Sequence, residues 1–351
     1  MRVLLDAIHA DLLESLRLLS GRLGWEMYTP IGMEWYEAGI WRFERERLGD
    51  QVAKQFLTPW PDDEYWLDSG CSVRRPASHP KTTIRMVTME QARALKPDVI
   101  ISTLAENDLG WATFAREVGA HFGVQVGNQG AEVQWGAAEF ALLSVTTPGF
   151  TPWKPHVYYR QEFSLTDFAA DGGAGADAEP WVMTRVQCAT QTPEHAMFRE
   201  LAERTGLKWT WHGHCGEPDE HYGGNAHTTA EVAAEMHRAR IAWHAKRWSD
   251  GYGHVIHNWA AIGRPMLVTA DYYADKLAAP LFVEGKTSFN LEKHSVNELQ
   301  AIVMRLAVDD DYWRRICQDT AIRFREVVDF DAEAEAIRTM MDKVLSDPAP
   351  R

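Results

Sequence analysis

Residues 250–269 read Asp250-Gly251-Tyr252-Gly253-His254-Val255-Ile256-His257-Asn258-Trp259-Ala260-Ala261-Ile262-Gly263-Arg264-Pro265-Met266-Leu267-Val268-Thr269. An acidic residue opens a Gly-x-Gly turn, an apolar run of helical length follows, Gly-x-Pro ends it, and a short strand resumes. Glycines ahead of a helix let a ligand approach the backbone more closely than a Cβ would allow. The unpaired N–H groups and the positive end of the dipole make such a helix start a ready site for phosphate. The same pattern also suits an ordinary α/β helix with a glycine turn and a Gly-x-Pro exit.

Working outward, the chain alternates strands and helices. Residues 2–8 form an apolar strand, Asp11-Leu12-Leu13-Glu14 is a capping-box pattern opening a helix to about Gly21, and Trp25–Tyr28 is the next strand. This βαβ opening lacks the dinucleotide glycine fingerprint, which argues against an NAD enzyme. A second set is predicted as strand 98–102, helix 109–119 and strand 121–126. Residues 164–180 are small, flexible and acidic, as expected of a linker. Beyond them come strand 181–187, helix 193–205, strand 207–211 and strand 240–244, which feeds the quoted stretch. Ser295 caps a helix to about Val308, residues 309–328 give another, and Phe330 opens the last. The expected domains are residues 1–165 with an aromatic insertion at 31–85, a linker at 166–180, a second domain at 181–328 and a C-terminal helix at 329–351.

The 351 residues carry a formal net charge of -14, which excludes a wholly basic nucleic-acid binder but not a confined basic face. Cys71, Cys188, Cys215 and Cys317 form no Cys-x-x-Cys pair, and Asp6 comes too early for a secretory apolar region. No apolar run is long enough to span a bilayer. The expectation is a cytoplasmic monomer with no membrane contact. The insertion holds eight aromatics, with eight basic against nine acidic residues, so it is far less acidic than the rest. Such a segment can stack bases or sugars, or pack on its own rings.

The stretch at 250–265 resembles the donor-sugar motif of GT-B-fold glycosyltransferases, in which acid-Gly-aromatic-Gly is followed by a second acid and a closing Gly-x-Pro. Asp250 takes the first acidic position, Gly251, Tyr252 and Gly253 the turn, Asn258 the second acidic position, and Gly263 and Pro265 the exit. The resemblance implies an α/β fold of two Rossmann-like domains facing across a cleft, with the C-terminal helix packing back on the N-terminal domain. It implies that Asp250 contacts the donor sugar and serves catalysis, and that Asn258 holds the ribose without a charge. The diphosphate would meet the backbone of Gly251–His254, helped by Lys246, Arg247 or Arg185, each equally explained by surface solvation. A UDP-hexose donor, no tightly bound cofactor and metal independence are expected.

For a general base, the carboxyl ends of parallel strands place His9 after the first strand and Asp108 after the 98–102 strand. Both have plain alternatives, Asp108 as a helix cap among them. His212, His214 and Cys215, with His221 and His227, cluster in sequence but fit no common zinc spacing. The stretch is also similar to phage and metagenomic transferases that glycosylate hydroxymethylpyrimidines in DNA. That resemblance implies double-stranded DNA as partner, with Trp35, Trp41, Arg74 and Arg75 on the acceptor side. A small-molecule or glycan acceptor, a nucleotide-sugar epimerase and a non-catalytic nucleotide-binding module remain open.

Overall fold

The computed structural model describes residues 1–5, 10–30, 66–67, 73–74, 84–87, 89–102, 108–127, 137–146, 154–185, 192–213, 218–224, 226, 229–247 and 251–347. The chain divides into two compact units, Met1–Phe163 with Phe330–Arg351, and Ser164–Asp329.

In the first unit the strands are β1 (Arg2–Leu5), β2 (Glu26–Pro30), β3 (Trp66–Leu67), β4 (Val73–Arg74), β5 (Ile84–Val87), β6 (Val99–Ser102), β7 (His121–Val126), β8 (Phe140–Leu143) and β9 (His156–Tyr158). Seven of them form one parallel sheet in the order β5-β2-β1-β6-β7-β8-β9, while β3 and β4 pair antiparallel by themselves. A parallel sheet is covered on both faces, so its strands read as continuous apolar runs. Leu4, Ile100, Phe122 and Val124 meet Trp111, Phe114 and Ala115 of a helix spanning Asp108–Val118. On the opposite face Val3, Leu5, Ile101 and Leu142 meet Leu16 and Leu19 of α1 (Ala10–Leu23). α2 is Met89–Leu95, and the Asp108–Val118 helix is α3.

The second unit contains β10 (Trp181–Thr184), α4 (Pro193–Thr205), β11 (Lys208–Trp211), α5 (Thr229–Arg238), β12 (Ile241–His244), α6 (His254–Ile262), β13 (Met266–Val268), β14 (Ser288–Asn290), α7 (Val296–Val308) and α8 (Asp310–Val327). Its parallel sheet runs β11-β10-β12-β13-β14. Trp209, Trp243, Leu267 and Phe289 pack beneath α4, α7 and α8 through Phe198, Leu299, Val303 and Trp313. The last helix, α9 (Phe330–Ser346), returns to the first unit. Ala334, Ile337, Met341 and Val344 recur at helical spacing and share the core of Leu5 and Leu16. Arg22 grips Glu162 at 2.7 Å and also pairs with Asp331, and Arg160 pairs with Glu333 at 2.5 Å, which locks the start of α9.

Two expectations are corrected. Residues 166–180, expected as a linker, are held within the second unit. Asp171 accepts two hydrogen bonds from the fully buried Arg264, at 2.7 and 2.9 Å, and one from His237 at 2.9 Å. Burial opposes ionisation of Asp171, but these bonds outweigh it and hold the carboxyl well below the usual range. Gly173, at φ +90°, lies where a Cβ would sit 2.4 Å from the Trp313 ring. The small residues that look flexible are those that let the segment lie flat on tryptophan. Asp11 is inside α1 rather than its cap, because the helix already begins at Ala10. The last strand of the second sheet, β14 at 288–290, follows a turn at 285–287 across which Glu284 bridges to Ser288.

Candidate functional site

In an open parallel sheet, ligands bind beyond the carboxyl ends of the strands where the strand order reverses. In the second sheet that point lies between β10 and β12, whose neighbours run in opposite directions from there. The segments leaving it lead to α4 and to α6.

α6 begins with Gly253 as its cap, at φ +78° and ψ +49°, with no side-chain cap and no acidic residue in its first turn. A Cβ at Gly253 would meet Ile256 at 3.0 Å and Ala278 and Tyr273 at 3.4 Å, so both the backbone angle and the space call for glycine. Tyr252 is 2% exposed and stacks on His257, ring centroids 4.3 Å apart at 22°. His254, the first helical residue, is half-buried, its ring 5.9 Å from that of Tyr252. Asn258 is 4% exposed, and its Oδ1 has no hydrogen-bond partner among the described residues. An orphaned buried acceptor costs about 1–3 kcal/mol, so it calls for a partner beyond the described residues. Gly251 is buried beside this turn. Asp250 lies outside the described residues.

Two of the three expected cations, Arg247 and Arg185, are engaged with carboxylates. Arg247 donates to Glu194 at 2.6 Å and lies 3.5 Å from Glu292. Glu292 in turn accepts the Asp271 N–H at 2.9 Å, and the Asp271 carboxylate accepts from Asn290 at 2.8 Å. This polar chain joins the segments that follow β10, β12, β13 and β14. Glu194 and Glu292 were not singled out in the sequence, although the Thr192-Pro193-Glu194 cap pattern marks Glu194 as the acid of a helix start. Arg185, just after β10, donates to Glu235 at 3.2 Å. The Lys246 carbonyl accepts from the Thr269 hydroxyl at 2.9 Å.

Of the histidines near β11, His212 is buried and shares a hydrogen bond with Thr210 at 3.0 Å. Burial, with Arg185 and Lys208 nearby, pushes it down to about 4. His195, in the first turn of α4, lies 3.4 Å from Asp219, and burial lowers it too. Asp219 also accepts from Trp211 Nε1 at 2.7 Å and from the His221 N–H at 2.9 Å, so this cluster ties β11 to α4. His214, Cys215 and His227 lie outside the described residues, and among those described no three His, Cys, Asp or Glu side chains gather as a metal site.

In the first unit the order reverses between β1 and β6, with Leu5 paired to Ile101 at their carboxyl ends. Asp108 is the first residue of α3, which follows β6. Arg74 closes the short strand β4. His9, Trp35, Trp41 and Arg75 lie outside the described residues. No helix among those described is long and apolar enough to cross a membrane.

No protein-family model matches the chain, and no curated protein matches it in sequence. Solved structures do match. HepE from Anabaena in complex with UDP and glucose superposes with a TM-score of 0.63 at 10% identity, over 97% of this chain and 99% of that one. A glycosyltransferase from Rickettsia africae ESF-5 gives 0.62 at 8% identity, over 99% of each chain. An α-glucosyltransferase in complex with UDP-glucose and DNA containing an abasic site gives 0.61 at 7% identity, over 99% of this chain and 100% of that one. The fold is GT-B. At these identities the likeness establishes architecture alone.

Proposed function

We propose that this chain is a glycosyltransferase that moves a hexose from a UDP-sugar to an acceptor hydroxyl. The observation that carries the reading is the orphaned Oδ1 of Asn258, buried in the helix whose glycine start follows β12 at the switch point. A ribose hydroxyl satisfies that acceptor. The N–H groups at the start of α6 receive the diphosphate, and the helix dipole offsets the charge that develops as the sugar leaves. Asp250 contacts the sugar hydroxyls, alongside Gly251, Tyr252 and His254. Charge neutralisation by backbone makes the reaction independent of a metal. In the transfer the bond from the anomeric carbon to the diphosphate oxygen breaks, a bond to the acceptor oxygen forms, and the hydroxyl proton passes to a base. His9 and Asp108 are the candidates for that base in the first unit, which takes the acceptor.

For the acceptor we propose 5-hydroxymethylpyrimidine in DNA, with Trp35, Trp41, Arg74 and Arg75 as contacts. Two things support it: the likeness to an α-glucosyltransferase solved with DNA, and an aromatic insertion far less acidic than its surroundings. A small hydroxylated acceptor is the second reading, favoured by the net charge of -14. The test incubates the protein and UDP-glucose with DNAs carrying cytosine, hydroxymethylcytosine or hydroxymethyluracil, then digests to nucleosides for mass spectrometry while following UDP release. A hexose on a hydroxymethylated base establishes the DNA reading. UDP release without a modified nucleoside moves the acceptor to the second reading. The absence of both signals overturns UDP-glucose as the donor.

A further inference from the structure

A ligand at the glycine turn meets a backbone that one buried side chain contacts at two consecutive residues. His257 is fully buried one turn into α6. Its backbone N–H donates to the Gly253 carbonyl at 3.1 Å, and its ring Nδ1 lies 2.9 Å from the same oxygen. A carbonyl only accepts, so Nδ1 carries the hydrogen. The ring also stacks on Tyr252, at 4.3 Å. A single residue therefore holds Tyr252 by its face and Gly253 by its carbonyl. Glycine at φ +78° brings no side chain that could anchor it there, and its freedom in the unbound chain is the largest of any residue.

The consequence follows from peptide planarity. The Gly253 carbonyl and the His254 N–H belong to one rigid plane, so pinning the carbonyl fixes the direction of that N–H. We propose that His257 is a positioning residue for the donor, which aims the first N–H of α6 at the diphosphate through the Gly253 carbonyl. The inference rests on the donor-site reading above. It assigns to His257 a part distinct from that of its neighbour Asn258, although the two stand side by side in the buried part of the helix.

Two substitutions separate the hydrogen bond from the packing. His257→Phe keeps the ring and the stack on Tyr252 but has no N–H to donate. His257→Asn loses the ring but places an amide N–H where Nδ1 stood. In calorimetric titration with UDP-glucose, His257→Phe is expected to weaken binding about tenfold, the scale of one lost hydrogen bond. His257→Asn should stay within about threefold of wild type, yet melt at the lower temperature because a buried ring has been removed. The order of affinities is then the reverse of the order of melting temperatures, which a purely structural role does not produce. Wild-type affinity in His257→Phe, or affinities that follow the melting temperatures, overturns the proposal. A wild-type protein that binds neither UDP nor UDP-glucose overturns the donor-site reading itself, before any variant is compared.

Discussion

Helices α4 and α6 follow adjacent strands of one sheet, β10 and β12, and begin in opposite ways. α4 is closed from within. The Thr192 hydroxyl accepts the His195 N–H at 3.2 Å, Pro193 has no N–H to satisfy, and Glu194 sets a carboxylate in the first turn. α6 has a glycine cap, no capping side chain and no acid. The positive pole of α4 is thus neutralised by its own sequence, while the first turn of α6 carries no acid of its own and, on the donor-site reading, receives the diphosphate. Arg247 sharpens the contrast. Expected beside the diphosphate, it also pairs with Glu194 and so ties the segment after β12 to the closed helix. On the donor-site reading, one start contributes stability and the other serves the ligand.

The largest effect that tests this division is at Asp250. On the donor-site reading, Asp250→Ala lowers turnover on the order of a thousandfold, as removal of a group acting on the reacting sugar does. The melting temperature stays at the wild-type value. Near-wild-type release of UDP from UDP-glucose by this variant would remove the functional half of the contrast.

The next effect is in stability and lies on the side of α4. Burial holds His195 and His212 below the ordinary histidine value of 6.5, His212 at about 4. Between those values the unfolded chain binds more protons than the folded one, so stability falls as pH drops from 6.5 toward 4 and is flat above. For His212 alone the loss is about 3 kcal/mol once the fall is complete. Urea unfolding at pH 7.5, 6 and 4.5 measures the slope. His195→Phe should remove part of it, since a protonated histidine in the first turn of a helix also opposes the dipole. A slope unchanged in that variant would place the pH sensitivity elsewhere.

The contrast also shows what could be read from sequence. Strand 121–126 and helix 193–205 appear with the predicted bounds, and Ser295 caps its helix as expected, through a capping box with Glu298. Those signals are local, set by apolar runs and caps within a few residues. The turn at 251–253 and the helix after it were legible for the same reason. What could not be read are pairings across strands. Nothing near Arg247 announces Glu194, 53 positions earlier in the numbering, or Glu292 beyond β14. Residues 166–180 mislead because small and acidic residues look flexible alone, whereas here Arg264 and Trp313 give them a surface. His257 passed as one more polar residue in an apolar helix, because its role depends on the carbonyl one turn back.

Gly253→Ala probes the open helix next. The substitution forces an L residue to φ +78° against Ile256, at a cost on the order of 1–2 kcal/mol. The turn can relieve that strain only by rotating the peptide that presents the His254 N–H. UDP affinity should therefore fall about tenfold, and calorimetric titration checks it. Unchanged affinity would mean that the ligand does not read this backbone.

The smallest effect comes from the matching change at the closed helix. Thr192→Ala removes the side chain that accepts the His195 N–H and leaves the rest of α4 in place. The expected cost is about 1 kcal/mol, the usual worth of such a cap. It should appear as a lower denaturation midpoint at an unchanged slope. UDP affinity should not move, because α4 already holds Glu194 against its own pole and Glu194 is gripped by Arg247. If Thr192→Ala weakened UDP binding as much as Gly253→Ala, both helix starts would serve the ligand and the two ends of this sheet edge would not be divided between stability and recognition.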